Sequence, residues 1–292
     1  MFKGKSVEVV LRGGLGNQMF QYAIGRSLSI RLGLSLLIDS SRLRVDVPVA
    51  RSYDLGCFRL SGHRTRSRPS LVFRAGDKLQ RTMNSYCRGS PYLIKERTLQ
   101  FEPEVLKVDG PCRLEGYWQS ERYFESISDQ LRSEFAILPA PDARSAECAD
   151  RMQRVNSVGL HIRRGDYVTH ADCSAFHGTC PAEYYDAALR FFQSRFGPKV
   201  ELFVFSDDMK WTRENIRFPV ATTYVDWNAD RNYEDLRLMS SCSALAIANS
   251  AFSWWAGWIN PDPEKLVVAP KRWFRAPGVF SDLPESPWLI AL

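Results

Sequence analysis

Residues 7–38 read VEVVLRGGLGNQMFQYAIGRSLSIRLGLSLLI, and this stretch decides the fold. Residues 7–11 are a short apolar run that stops at Gly13-Gly14-Leu15-Gly16. From there Met19, Phe20, Ala23, Ile24, Leu28 and Leu32 recur at helical spacing, and residues 35–38 form the next apolar run. Strand, glycine turn, helix and strand make a βαβ unit, whose two strands must lie parallel in one sheet. The alternation returns in the second half of the chain. Residues 158–162, 202–205, 244–248 and 266–269 read as strands, and residues 181–196, 233–240 and 253–259 as helices, the first with a proline in its opening turn. Two βα-rich halves predict an α/β protein of two Rossmann-like domains. Between them residues 120–135 read as a helix, Leu138-Pro139-Ala140-Pro141 as a break, and residues 145–155 as a second helix. The boundary is placed near residue 150, giving domains 1–150 and 151–292.

The 292 residues, 45% hydrophobic and 25% charged, suffice for two such domains and exclude a collagen, a coiled coil and a small disulfide scaffold. No run approaches the roughly 20 apolar residues needed to cross a bilayer, and the start, MFKGKSVEVVL, enters the glycine turn without the apolar segment of a signal peptide. A cytoplasmic location is therefore expected. Seven cysteines, an odd number without framework spacing, read as reduced thiols. Charge is uneven: residues 1–110 hold 19 Lys and Arg against 9 Asp and Glu, so they carry +10 of a chain whose net charge is +6 and leave −4 to the remainder. The excess peaks in residues 42–97, with thirteen basic and four acidic residues. Two readings stand for that segment: peripheral contact with an anionic membrane at its inner face, or a solvated surface. No nucleic-acid partner is expected.

The glycine turn presents free backbone N–H groups and a helix dipole, which can hold an anion or a sugar hydroxyl. A nicotinamide enzyme would use the same place, with Asp39 at the end of the second strand as its ribose ligand, although the third glycine of that fingerprint falls at Met19. More specific is Val158-Gly159-Leu160-His161-Ile162-Arg163-Arg164-Gly165-Asp166-Tyr167. An apolar strand there delivers two adjacent guanidiniums to its carboxyl end, where open α/β sheets bind ligands, and arginine bonds phosphate oxygens in a bidentate fork. The alternative is an Arg–Asp ion pair closing a loop. Asn249-Ser250-Ala251-Phe252-Ser253 ends a strand and opens a Ser-capped helix, a second anion site or a plain cap. Phe205-Ser206-Asp207-Asp208 also follows a strand; its carboxylates suit a metal, a ribose, a base edge or a helix cap. His170, Cys173, His177 and Cys180 have a spacing that a zinc site could use, and are read instead as a variable flap.

The chain resembles the α-1,2-fucosyltransferases of glycosyltransferase family 11. The stretches that carry the resemblance are GGLGNQMFQYA (13–23), LEGYWQSERYF (114–124), HIRRGDY (161–167), and FSDD (205–208) with EDLRLMSSCSALAIANSAFSWW (234–255), in the family's order. Ala251 stands where the family often has Ser or Thr, and residues 40–110 match poorly, which leaves the acceptor open. The resemblance implies a GT-B fold, two domains facing a cleft, with residues 1–150 on the acceptor side and 151–292 binding GDP-β-L-fucose. It implies inverting transfer of L-fucose, without metal or cofactor, to the 2-OH of a galactoside in an oligosaccharide or lipid-linked glycan. Arg163 would then contact the β-phosphate with support from His161, Arg164 and Asp166. Asn249, Ser250, Phe252 and Ser253 would cradle phosphate and guanosine, Asp207 or Asp208 beside Ser206 would bind the guanosine moiety, Gly14 and Gly16 would contact the donor, and Asn17 in their turn would face the reaction centre as a catalytic residue with Arg163.

The residue chemistry points the same way. A departing diphosphate needs its growing charge met either by a metal on carboxylates or by fixed cations and helix dipoles, and Arg163 and Arg164 supply the latter. No general base is identified. The rival functions are an NAD-dependent oxidoreductase, motivated by the glycine turn and Asp39, and a non-catalytic two-domain glycan-binding protein.

Overall fold

The first apolar run forms strand β1 (Ser6–Val10), the helix after the glycine turn is α1 (Leu15–Leu32), and β2 (Ser35–Asp39) follows, in a computed structural model that describes residues 6–43, 51–65 and 92–292. With β3 (His63–Thr65), β4 (Tyr92–Lys95) and β5 (Cys112–Glu115) these strands make, among the described residues, a parallel sheet in the order β3-β2-β1-β5-β4. The chain moves outward from β1 to one side and returns on the other at β5. The order therefore reverses between β1 and β5, and the loops leaving their carboxyl ends diverge around a crevice.

Helix α1 is buried on nearly every face rather than along one stripe, and its polar Gln18, Gln21, Ser27 and Ser29 lie inside with Met19, Phe20 and Ile24. It can lie that deep because Gly25 faces the sheet: a Cβ there would stand 2.3 Å from Val9 Cγ1 and 2.9 Å from Leu36 Cδ1. Close helix–strand contact is thus made at Gly25, two turns beyond the position where the dinucleotide fingerprint would put it.

Residues 120–135 are not one helix. They form two 3-10 turns, Glu121–Tyr123 and Glu125–Ile127, before α2 (Ser128–Glu134). Phe124 breaks the helical path with φ −138°. The break lets Tyr123 pack against Trp118 and Phe124 against Phe20. After α2 comes α3 (Ala143–Met152), capped by Asp142, whose side chain accepts the Ser145 N–H.

The chain divides into two units, residues up to Gly56 with Leu60–Glu134, and Cys57–Arg59 with Phe135–Leu292. The division lies at Glu134, earlier than the expected residue 150, because α3 belongs to the second unit: Asp142 pairs with Arg231, Ser145 bonds Asn228, and Met152 meets Cys242.

The second unit repeats the first unit's logic. Strands β6 (Asn156–Ile162), β7 (Val200–Ser206), β8 (Thr222–Val225), β9 (Ala244–Ala246), β10 (Leu266–Ala269) and β11 (Leu289–Ala291) are parallel in the order β11-β10-β9-β6-β7-β8. Between them run α4 (Gly165–Thr169), α5 (Ala171–Phe176), α6 (Ala182–Phe196), α7 (Met209–Asn215), α8 (Asn232–Ser240) and α9 (Ala251–Ile259). Val158, Leu160 and Ile162 of β6 pack with Leu202 and Val204 of β7 under Tyr185, Ala188 and Phe192 of α6. Here the order reverses between β6 and β9. Both halves are Rossmann-like parallel sheets, as the βα alternation predicts.

The six cysteines among the described residues are free thiols, and burial raises those of Cys112, Cys148 and Cys180 to about 11. Among the described residues no helix is long and apolar enough to cross a membrane. Of the basic segment 42–97, Arg44, Arg66, Arg68, Arg74, Lys78, Arg81 and Arg88 lie outside the described residues, and the expected membrane contact with them. Arg64, within them, covers the Tyr53 ring at 3.8 Å.

Gly25→Val sets the close contact of α1 with the sheet against helix propensity. The propensity gain is below ~1 kcal/mol, whereas crowding the stiff Val9 side chain costs about 1–3 kcal/mol. A lower urea midpoint with an unchanged slope is expected; an unchanged midpoint would mean that α1 has room to lift off the sheet.

Candidate active site

In the second unit the side chains singled out in the sequence converge on the carboxyl ends of β6, β7 and β9. Strands β6 and β7 pair with Ile162 opposite Ser206, so the next residues leave the sheet side by side. Arg163 Nη1 lies 2.8 Å from Asp207 Oδ2, and Arg163 Nη2 pairs with Asp166 Oδ1 at 2.5 Å. Asp207 Oδ1 accepts the Arg164 backbone N–H at 2.8 Å. This approach requires Gly165: a Cβ there would fall 2.3 Å from Asp207 Oδ2. The Arg164 guanidinium lies 3.4 Å above the Trp211 ring and bonds Asp208 Oδ2 at 3.3 Å, while Asp208 Oδ1 caps α7 by accepting the Trp211 N–H. Ser206 Oγ accepts from Asp208 N–H and from Thr212 Oγ.

The Arg–Asp ion pair is thus present, on the same arginine that the anion-site reading names. Burial works against the Arg163 charge, but Asp207, Tyr167 and Asp166 outweigh it and hold its pKa above the usual value. Each carboxylate takes one guanidinium hydrogen, which leaves Nε–H and a hydrogen on each Nη. Arg163 Nε is buried and has no partner. A guanidinium donor without a protein acceptor leaves unused the hydrogen-bonding capacity that a ligand oxygen satisfies.

His161 lies beneath this arginine, buried, with its ring 5.8 Å from that of Phe252 and its Nδ1 unpartnered. Burial first, and the Arg163 charge second, push its pKa down to about 3, so it is neutral at pH 7. Ser250 caps α9 through the Phe252 N–H, and Ser253 Oγ bonds the Ser250 carbonyl. Asn249 departs from the donor-contact expectation. Its Nδ2 reaches the carbonyls of His177, Gly178 and Trp273 at 3.0–3.2 Å, and its Oδ1 accepts from Cys180, so the amide is spent pinning a loop. Asp207, Asp208 and Ser206 likewise spend their oxygens on the arginines and on the α7 cap.

Against that loop packs Tyr167, which the sequence reading left without a role of its own. Tyr167 sits between Arg163, 5.1 Å from its ring, and His177, stacked at 4.3 Å and 3°; its hydroxyl donates to the Asn249 carbonyl. Burial pushes His177 down to about 4, with Asp166 opposing and Arg163 assisting. His177 and Cys180 thus serve packing and loop anchoring, and no group of three or more His, Cys, Asp or Glu among the described residues is placed to hold a metal ion.

In the first unit the glycine turn stands at the β1–β5 reversal. Gly13 takes φ +74°, and a Cβ on it would meet Asn17 Nδ2 at 2.3 Å. Gly14 precedes α1 in extended conformation with no side-chain cap, and Gly16 is buried in its first turn. Asn17 Oδ1 accepts the Gln119 amide at 2.7 Å, a contact that no local spacing forecasts. Asp39 does not fit a ribose ligand. It is 1% exposed; Oδ2 meets Arg113 at 2.9 Å and Oδ1 accepts the Ser41 N–H. Arg113, itself 2% exposed, also holds Glu8 and Glu115.

With this geometry in place, the comparisons are specific. A family model described as Glycosyl transferase family 11 matches residues 102–280. An alpha-1,2-colitosyltransferase of Escherichia coli is 32% identical, covering 94% of this chain and 96% of its own length. The O-antigen biosynthesis glycosyltransferase WbnK, also of Escherichia coli, is 33% identical over 96% of this chain and 98% of its own. Galactoside alpha-(1,2)-fucosyltransferase 2 of Bos taurus is 29% identical over 95% of this chain and 72% of its own.

The buried neutral histidines make acid sensitivity measurable. Their unfolded pKa is near 6.5, above the folded values of about 3 and about 4, so the unfolded state binds the extra proton and stability falls as pH drops below about 6.5. Each contributes a slope of up to ~1.4 kcal/mol per pH unit. His177→Phe keeps the stack on Tyr167 and removes the titration. Its stability should fall less steeply than the native chain's between pH 6.5 and 5 in urea titrations; parallel curves would show that His177 does not stay neutral on folding.

Proposed function

The chain belongs to glycosyl transferase family 11, and from that premise we propose that it is an inverting fucosyltransferase, carrying L-fucose from GDP-β-L-fucose to the 2-OH of a galactoside in a glycan. One observation carries the proposal: Arg163, set by β6 at the strand-order reversal, keeps a buried Nε–H without a protein acceptor. In the reaction the bond from fucose C1 to the β-phosphate oxygen breaks, the acceptor oxygen bonds C1 from the opposite face, and the acceptor proton passes to a base. Charge grows on the departing diphosphate. The open hydrogens of Arg163 and the amino end of α9, capped by Ser250, are the groups that meet it. Asp166 and Asp207 keep the guanidinium oriented before the donor arrives, and neutral His161 adds no charge beneath it. Asn17, by the family likeness, belongs with the reacting groups, and the GT-B arrangement comes with that likeness too.

The donor has a second reading, favoured by the colitosyltransferase relative. Colitose is L-fucose without its 3-hydroxyl, so the two donors share every group that Arg163 and α9 would contact. Incubation with GDP-β-L-fucose and GDP-β-L-colitose, each with a panel of galactosides, followed by NMR of the product linkage, separates them. Transfer from neither, with no GDP released, refutes the proposal. NADH gives no thermal shift on this reading, whereas GDP at 100 times its Kd stabilises by about 2.7 kcal/mol.

Two further outcomes follow from an arginine-based site. Arg163→Lys keeps the charge and loses the fork, so kcat is expected to fall by at least ~100-fold, nearly as far as in Arg163→Ala; near-normal turnover in the lysine variant would remove Arg163 from this role. Activity is expected to survive excess EDTA. Its loss there and return with Mg²⁺ or Mn²⁺ would hand the leaving group to a metal instead.

A further inference from the structure

Trp118 adopts φ +58°, a left-handed conformation that is costly for a bulky side chain and persists only where its surroundings impose it. Its indole is buried and meets Tyr123 edge-on at 5.7 Å. The backbone around it is held from one side by a single carboxylate. Glu96 Oε2 accepts the Tyr117 N–H and Oε1 the Trp118 N–H, both at 2.7 Å. Two consecutive amides on one carboxylate are charge-assisted bonds at two fixed points of the same turn. Glu96 is itself fixed, because its N–H donates to the Glu115 carbonyl at 3.0 Å and extends the pairing of β4 with β5. The approach depends on Gly116, where a Cβ would lie 2.4 Å from Glu96 Cβ.

This turn stands opposite the glycine turn across the β1–β5 reversal, and two bonds tie them together. Gln21 Nε2 donates to the Gly116 carbonyl at 3.0 Å, and Gln119 Nε2 donates to Asn17 Oδ1 at 2.7 Å. The second bond sets which way the Asn17 amide faces, since an oxygen that accepts from Gln119 turns the Nδ2 group away from it. We propose that Glu96 is a positioning residue: by holding Trp118 in its left-handed turn it sets Gln119, and through Gln119 the orientation of the Asn17 amide. The assignment rests on the reading of Asn17 as one of the reacting groups.

Glu96→Gln tests it, because the amide replaces one acceptor oxygen with a donor that faces another N–H. Exchange of the Tyr117 and Trp118 amide hydrogens is expected to accelerate by at least about tenfold, and the Asn17 side-chain amide signal to move in the ¹H–¹⁵N spectrum. Turnover should fall by about 10- to 100-fold while the donor KM stays within about twofold. The decisive comparison is the pair with Asn17→Ala. If Glu96 acts through Asn17, adding Glu96→Gln to Asn17→Ala costs little more; two losses that multiply in full would overturn the proposal, as would a change in KM alone or an unmoved Asn17 signal. Should Glu96→Gln fail to fold, Glu96→Asp keeps the carboxylate but withdraws it from the two N–H groups by one methylene, and is read by the same signals. If the native chain transfers no sugar, the functional reading fails, while exchange and the Asn17 signal still decide the positioning role.

Discussion

A guanidinium at the end of a central parallel strand can be buried only where carboxylates meet it, and the second unit is arranged around that requirement. The pairing of Ile162 with Ser206 brings Arg163 and Asp207 out of the sheet together. Gly165 is a glycine because Asp207 occupies the space of a Cβ. Asp208 then holds Arg164 while capping α7, and Trp211 in that helix supports the second guanidinium from below. Tyr167, His177 and Asn249 form a layer over the first one. The Asp166, Asp207 and Tyr167 contacts all bear on the partly buried charge of Arg163.

The first unit buries an arginine too, with a different result. Arg113 is enclosed by Glu8, Asp39 and Glu115, so its charge is consumed in joining β1, β2 and β5. A network so fully satisfied is structural. The contrast marks a difference between two halves built on the same βα plan: one satisfies its guanidinium within the sheet, and the other leaves a buried Nε–H without a protein acceptor at the end of β6. At its own strand-order reversal the first unit holds the Asn17 amide, fixed by Gln119, beside the Arg12 and Arg42 pairs with Glu115.

Around Arg163 several polar atoms go unpaired. His161 is buried and His177 partly so, each with an unpartnered Nδ1, and Arg163 Nε has no protein acceptor. A buried group without its hydrogen bond costs about 1–3 kcal/mol. These three lie near Arg163, in the region that the family match covers.

Much of the architecture was legible in one dimension. Apolar runs such as residues 158–162 and the 3.6-residue spacing of residues 19–32 locate strands and helices because a buried parallel strand and a buried helix leave those periods in any sequence. The adjacent arginines at a strand end, and the serine that opens α9, are local patterns of the same kind. Residues 120–135 misread as one helix because the break at Phe124 answers to the core, where Tyr123 and Phe124 find Trp118 and Phe20. Strand order also lies outside local pattern: that β6 neighbours β9, and β1 neighbours β5, is settled by which sheet edges remain to be covered. The order creates the crevices and decides which polar groups are free. It gives Asp39 to Arg113, Asn249 to the 177–178 carbonyls and Gln119 to Asn17, pairings that span 74, 72 and 102 residues. Composition and spacing determined which side chains this protein could use; only tertiary packing, by spending some of them on one another, decided which remain open for chemistry.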